Sequence, residues 1–325
     1  MMDELDEKLV IMDKDGLHVK SEKVAEKLEK KNISASMVTG LNQCAAKWLA
    51  DSFVIRELVE EEPDNAARRG SLFHKVMEDF FELEPEARTQ AQVKEIVTQT
   101  FKSEEFADLA QIEDVHVWLR QAINNYYSMG ANPQKVQIAE IVMKEGEAPK
   151  KGLELFVKGK IGNAKREVLG FIDRLVVDAK KDDGSVLIED WKSGTKPKKW
   201  KSHTKSDEGL AEQRQQLIYR ILLENQGVKV SGARLIYPVA KEIVNVDFND
   251  QELFDRVVKD VEETDKALDA MIEKNTFEYT PSFLCAWCPL SRICMSATIK
   301  PYPKMQEAFA KQPDAEVLLK GIELR

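Results

Sequence analysis

The chain has 325 residues, 43% of them hydrophobic and 32% charged, with a formal net charge of −9, the composition of a soluble globular protein with a sizeable core. No apolar run approaches the roughly 20 residues needed to cross a bilayer, and the acidic start MMDELDEKLV lacks the basic and apolar regions of a signal peptide. These features predict a cytoplasmic protein with reduced thiols and exclude binding of a polyanion through bulk charge, leaving that task to local basic stretches.

Residues 1–33 are highly charged and read as a short helix or a frayed lead-in. From about Ser36 to Gly130 the pattern is helical, with a break predicted at 61-EEPDNAARRG-70. In GSLFHKVMEDFF, Leu72, Phe73, Val76, Met77, Phe80 and Phe81 form a broad apolar arc flanked by His74 and Glu78, which taken alone reads either as a boundary histidine satisfied by Glu78 or as the edge position at which a core can hold a ligand. Strands follow at 136–144, 153–161, 167–178 and 185–192, then a helix over 208–225 and two strands in ARLIYPVA and EIVNVDF. A charged amphipathic helix covers 250–275, a cysteine-rich segment closes the domain, and residues 301–325 read as a tail. This order predicts a mixed α/β fold, a sheet flanked by helices. It is expected as one domain over 34–300, with a helical part (34–130), a core (131–250) and a helix-and-cysteine segment (251–300).

The most informative segment is 170-GFIDRLVVDAKKDDGSVLIEDWKSG-194. Asp183-Gly184 between two β-branched runs signals a hairpin turn. Side chains alternate along a strand, so Val186, Ile188, Asp190 and Lys192 share one face, and a turn near residue 182 sets Asp173 across from residues 190–192. Two carboxylates and a lysine then converge at the end of an apolar face, a costly arrangement unless they serve a metal. Paired carboxylates suit Mg²⁺ or Mn²⁺, which also take a phosphate oxygen. The bland alternative is an exposed, salt-bridged strand end. The run KSGTKPKKWKSHTK (192–205) follows directly and contains no acid. It reads either as a solvated loop or, given its position, as a phosphate-binding one.

Cys44, Cys285, Cys288 and Cys294 are the four cysteines, the last three as C-x2-C-x5-C. In a reducing compartment this clustering points to metal rather than disulfides, and four thiolates suit either zinc or an iron–sulfur cluster. A ligand set joining residue 44 to residues 285–294 would staple the two ends of the chain together.

Gly170-x-x-Asp173 followed by Asp190-Trp191-Lys192-Ser193-Gly194 resembles the central motif of the RecB-type branch of PD-(D/E)XK nucleases. Gly70, His74 and Glu78 match that branch's G-x-x-x-H-x-x-x-E helix, and Gln215 and Tyr219 in EQRQQLIYR its Q-x-x-x-Y helix. The cysteine pattern, after Ser34-Ala35-Ser36, is similar to that of the iron–sulfur members, including the AddB nuclease and the CRISPR-associated adaptation nucleases. The resemblance covers about residues 34–294. It implies a restriction-endonuclease-like core and a metal-dependent DNA exonuclease acting in recombination, repair or phage DNA processing, encoded by a bacterium or phage, with recombination or replication proteins as partners.

By the same resemblance His74, Asp173 and Asp190 hold Mg²⁺ or Mn²⁺ with the Trp191 carbonyl as an extra ligand, Lys192 assists the attacking water, and Glu78 supports the helix. Gln215 and Tyr219 position DNA, Lys196, Lys198, Lys199 and Lys201 bind phosphates, and Trp200 stacks on an unpaired base. The four cysteines hold a [4Fe–4S] cluster. The chain has no G-x-x-x-x-G-K-[ST] loop and so powers no helicase itself. The rival readings are a non-catalytic DNA-binding scaffold subunit and a zinc-stapled nuclease.

Overall fold

A computed structural model describes residues 7–59, 64–130, 132–143, 146–194, 207–246, 248–296 and 312–325. The chain forms two compact units, one from residues 1–60, 162–167 and 259–325 and the other from 61–161 and 168–258.

The first unit opens with β1 (Val10–Met12) and β2 (Gly16–Val19), followed by α1 (Glu22–Glu29), α2 (Ala35–Gln43) and α3 (Ala45–Ala50). From residue 7 onward the lead-in holds a hairpin that sequence did not predict, followed by a short helix of the kind expected there, α1. Every residue of β1 is buried, which explains why a short apolar VIM among charges becomes a strand.

The second unit starts with α4 (Ala66–Glu82), whose first turn is capped by the Asn65 side chain accepting from Arg68 N at 2.8 Å. Its residues Leu72, Phe73, Val76, Met77, Phe80 and Phe81 are all buried as the periodicity requires. α5 (Gln90–Thr100) and α6 (Glu113–Ser128) complete a helical layer. The short strands β3 (Glu140–Ile141) and β4 (Lys150–Lys151) pair with each other. Less of 136–144 is strand than expected, although Gln137 and Ala139 still exchange backbone hydrogen bonds with Val177 and Leu175.

The main sheet follows: β5 (Leu153–Gly159), β6 (Val168–Val177), β7 (Val186–Trp191), α7 (Asp207–Glu224), β8 (Val230–Tyr237) and β9 (Glu242–Val246). Its order is β5-β6-β7-β8-β9, with β7 and β8 parallel across the α7 crossover and the other neighbours antiparallel. The mixed α/β architecture matches the expectation. The hairpin register pairs Arg174 with Glu189 and Val177 with Val186, and Gly184 takes the left-handed conformation (φ +71°) that its turn demands.

The chain returns to the first unit along α8 (Gln251–Lys274), then β9's successor β10 (Phe277–Glu278), α9 (Ala315–Leu319) and β11 (Ile322–Leu324). The end of the expected tail is thus a helix and a strand. β11 pairs in parallel with β1, Val10 facing Ile322, in a sheet ordered β10-β2-β1-β11. Trp48, Leu49, Phe53, Leu268, Phe277 and Leu318 pack in this unit's core.

Candidate metal centre

β6 and β7 bring Asp173 and Asp190 to the same end of the main sheet, one step past the Arg174–Glu189 pair. Both are buried. Trp191 N donates to Asp173 Oδ2 at 2.7 Å, which fixes the carboxylate against β7. α4 supplies His74: its Nε2 lies 3.1 Å from the Trp191 carbonyl and its Nδ1 3.5 Å from Asp173 Oδ2. The imidazole, the carboxylate and the carbonyl named from sequence therefore converge.

A further acid, absent from the sequence reading, joins them. Glu154 on β5 lies 4.0 Å from His74 Nδ1 through Oε1, and ligand atoms of His74, Glu154 and Asp173 all fall within 4.8 Å of one another. Glu154 holds a left-handed backbone, φ +41°, which costs a residue bearing a Cβ on the order of 1–3 kcal/mol and characteristically persists at functional sites. Nothing in GLELFV betrays that bend; the one sequence hint is an acid on the strand beside G-x-x-D.

Lys192 Nζ lies 2.6 Å from Asp190 Oδ2 and donates to Gln215 Oε1 at 3.2 Å, while Gln215 Nε2 donates to the Tyr219 hydroxyl at 2.9 Å. The Q-x-x-x-Y helix thus reaches the lysine through one relay. Gly170 explains itself here: a Cβ on it would stand 2.3 Å from Tyr219 Cε1. Gly70 allows a similar approach, since its Cβ would meet Ser193 Oγ at 3.1 Å. Glu212, also on α7 and not singled out from sequence, accepts from the Tyr237 hydroxyl. Glu78 pairs with Lys75 at 3.2 Å and shares with His74, Glu154 and Ser193 the lining of an open cleft of about 500 Å³. Lys196, Lys198, Lys199, Trp200 and Lys201 lie outside the described residues.

The electrostatics show excess negative charge. Burial, reinforced by Asp190, pushes the Asp173 carboxyl well above the usual carboxylate range. Burial, with Glu78 and Asp190 adding to it, also raises Glu154. Burial pulls His74 below its ordinary value against the attraction of Asp190, favouring the neutral ring that can donate a lone pair. At Lys192 burial opposes the charge, but Asp190 outweighs it and holds the ammonium above its ordinary range. Hard oxygen donors, a neutral imidazole and unmet negative charge are what a Mg²⁺ or Mn²⁺ ion relieves, so the residues fit such an ion.

In the first unit Cys44, Cys285, Cys288 and Cys294 line one small pocket with Tyr279 and Leu290. All four are free thiols. Burial pushes Cys288 up to about 12 and raises Cys294 as well. Among the described residues no three of these sulfurs lie within 4.8 Å of one another.

Acids, a histidine and a lysine gathered at the end of a mixed sheet define the class of centre that binds a hard divalent cation beside a polar cleft. Residues 32–295 match the family model of the PD-(D/E)XK nuclease superfamily, and the chain belongs to that superfamily. PD-(D/E)XK proteins are nucleases, hydrolases that use Mg²⁺ or Mn²⁺. No curated protein matches the chain in sequence. No helix among the described residues is long and apolar enough to cross a membrane.

Proposed function

We propose that this protein is a metal-dependent DNA exonuclease of recombination, repair or phage DNA processing. The observation that carries the nuclease reading is the convergence of His74, Glu154 and Asp173 beside the Asp190–Lys192 pair. Exonuclease action on DNA, an intracellular setting in a bacterium or phage, and recombination or replication partners rest on the motif order shared with the RecB-type branch. The family match over 32–295 supports treating 34–300 as the nuclease domain.

In this reading His74, Asp173, Asp190 and the Trp191 carbonyl hold the metal, and Glu154 is a further ligand. An ion held by these residues would supply an acidified water and charge neutralisation at the phosphate to be cleaved. Neutral His74 presents a lone pair, and the Trp191 N–H keeps Asp173 turned toward it. Lys192, anchored by Asp190 and Gln215, holds a positive charge where negative charge grows on phosphate oxygen. Tyr219 steadies Gln215, and the two position the strand. Glu78 supports the cleft wall, and the 196–201 segment supplies phosphate contacts.

The four cysteines are proposed to hold a [4Fe–4S] cluster as a structural staple. The cysteine pattern shared with the iron–sulfur members of the RecB-type branch, and the gathering of all four cysteines on one pocket, support this reading. An anaerobically purified sample should contain iron and sulfide and show the brown absorption of a cluster, and Cys285→Ser should lose it. Stoichiometric zinc without iron would sink this part.

The activity is tested on 5′- and 3′-labelled single and double strands with Mg²⁺ or Mn²⁺. Asp190→Ala and Lys192→Ala should each cut more slowly by roughly 100-fold or more, the scale of a lost electrostatic contact in the transition state. Undiminished cleavage by both variants would remove the active-site assignment, and metal-stimulated cleavage by the wild type excludes a scaffold role.

A further inference from the structure

Phe156 on β5 and Phe171 on β6 are directly paired across the two strands, their ring centroids 5.2 Å apart. Both are exposed, at 43% and 54%. Single exposed apolar residues are ordinary on protein surfaces. Two phenyl rings held against each other with their outer faces open to water are less so, and a sheet gains cross-strand stability from such a pair without needing it uncovered.

Their location gives them meaning. Gly159 and Gly170 turn toward α7, where a Cβ would meet Leu222 at 3.3 Å and Tyr219 at 2.3 Å. Residues alternate along strands, so Phe156 and Phe171, together with Lys158 beyond them, stand on the face that α7 does not cover. Each ring lies two residues along its strand from an acid of the metal centre, Phe156 from Glu154 and Phe171 from Asp173, a step of about 7 Å. Glu154 also lines the open cleft, so Phe156 follows two residues along β5 from one wall of that cleft.

From this we infer that Phe156 and Phe171 form a base-stacking platform, which receives an unpaired nucleobase adjoining the phosphate to be cut. The inference rests on the nuclease reading above. A phenyl face binds any base by its π-surface and cannot do so while that base is stacked within a duplex, so the platform selects single-stranded or frayed ends without selecting sequence. It assigns strand form, which the metal ligands alone do not, to two residues outside the metal centre.

The experiment uses the full-length protein and compares three forms: wild type, Phe156→Leu/Phe171→Leu, and Phe156→Tyr/Phe171→Tyr. Leucine keeps apolar bulk on the strands but removes the π-face, whereas tyrosine keeps the face. Binding to a labelled single strand is read by fluorescence anisotropy with Ca²⁺ present, and cleavage with Mn²⁺. The leucine form should bind the single strand roughly 5- to 160-fold more weakly, the range for loss of one stacked base, with KM rising more than kcat falls. The tyrosine form should stay close to wild type. A strand carrying abasic sites beside the cleavage position should bind wild type and the leucine form equally.

Wild-type affinity and KM in the leucine form, while the wild type cleaves, would overturn the platform and leave the nuclease intact. An equal loss on intact and abasic strands would overturn it too, because the contact would not be to a base. So would a leucine form that merely changes from dimer to monomer with its DNA affinity preserved, which would make the rings a contact between copies. A wild type that neither binds nor cuts nucleic acid would remove the nuclease reading and the platform together.

Discussion

Glu189 and Asp190 are consecutive on β7, and both are buried, yet the two faces of the strand treat them differently. Glu189 meets Arg174 at 2.5 Å and also pairs with Arg234. Arg174 is itself clamped between aromatic rings, its guanidinium 4.0 Å from the Phe81 centroid and 4.5 Å from Trp191. Among the described residues Asp190 pairs with the Lys192 ammonium, in a neighbourhood that includes Asp173 and Glu154. One face is charge-compensated by the protein alone. In the proposed reading the other becomes so when a cation binds, and the difference would then separate a structural charge network from a functional one on the same six-residue strand.

The largest test is on stability in the presence of a chelator. Removing one partner of a buried pair strands the other charge and costs about 3–5 kcal/mol, so Arg174→Met should sharply lower the urea midpoint. Asp173→Asn removes charge from a repulsive cluster, and should leave the chelated protein as stable as wild type or more so while abolishing cleavage. Equal destabilisation by the two would break the comparison.

Metal should then stabilise only one face. At a Mn²⁺ concentration 100 times its dissociation constant, the wild type should gain roughly 2.7 kcal/mol in unfolding free energy. Asp173→Asn and Glu154→Gln should lose most of that gain, measured as the shift in urea midpoint with and without Mn²⁺. If Glu154→Gln retained all of it, Glu154 would not be a ligand.

These two faces were unequally legible in the sequence. The hairpin that carries Asp173, Asp190 and Lys192 was readable because period-two alternation and the Asp-Gly turn act locally, and His74 because helical spacing does. Glu154 was not, since its role depends on a left-handed backbone that no propensity signals in a Leu-Glu-Leu run. Nothing local marks Arg174, the residue after G-x-x-D, and only the packing of Phe81 and Trp191 around it reveals a buried pillar. The sheet formed by β1 and β11 was hidden for another reason: each strand has three residues, and their pairing joins Val10 to Ile322, a non-local contact with no local pattern.

The two motif glycines should differ in degree. In Gly170→Ala the new methyl meets the ring of Tyr219, which cannot yield without disturbing its bond to Gln215, and overpacking of this kind costs about 1–3 kcal/mol. The added cost should appear in cleavage, because Gln215 also holds Lys192. In Gly70→Ala the neighbour is a serine hydroxyl at 3.1 Å, which can rotate away, so the loss should stay below about 1 kcal/mol. Thermal unfolding and kcat of both variants check the order.

The shallowest effect is the pH dependence of the chelated protein, because two sets of groups oppose each other. Asp173 and Glu154 are raised in the fold, so the native state binds more protons above the ordinary carboxylate range, and stability is full below it and falls as pH rises through the raised values. His74 is lowered in the fold, so the unfolded state binds more protons just below the usual histidine value of about 6.5. That contribution is full above this value and is lost as pH falls. Unfolding free energy in chelator should therefore combine a decline with rising pH from the raised carboxyls and a recovery with rising pH from His74. Asp173→Asn should remove much of the decline and leave the recovery, whereas His74→Gln should do the reverse. A curve unchanged by either substitution would mean that the acids and the imidazole do not share one unmet charge, which is the premise of the contrast between Asp190 and Glu189.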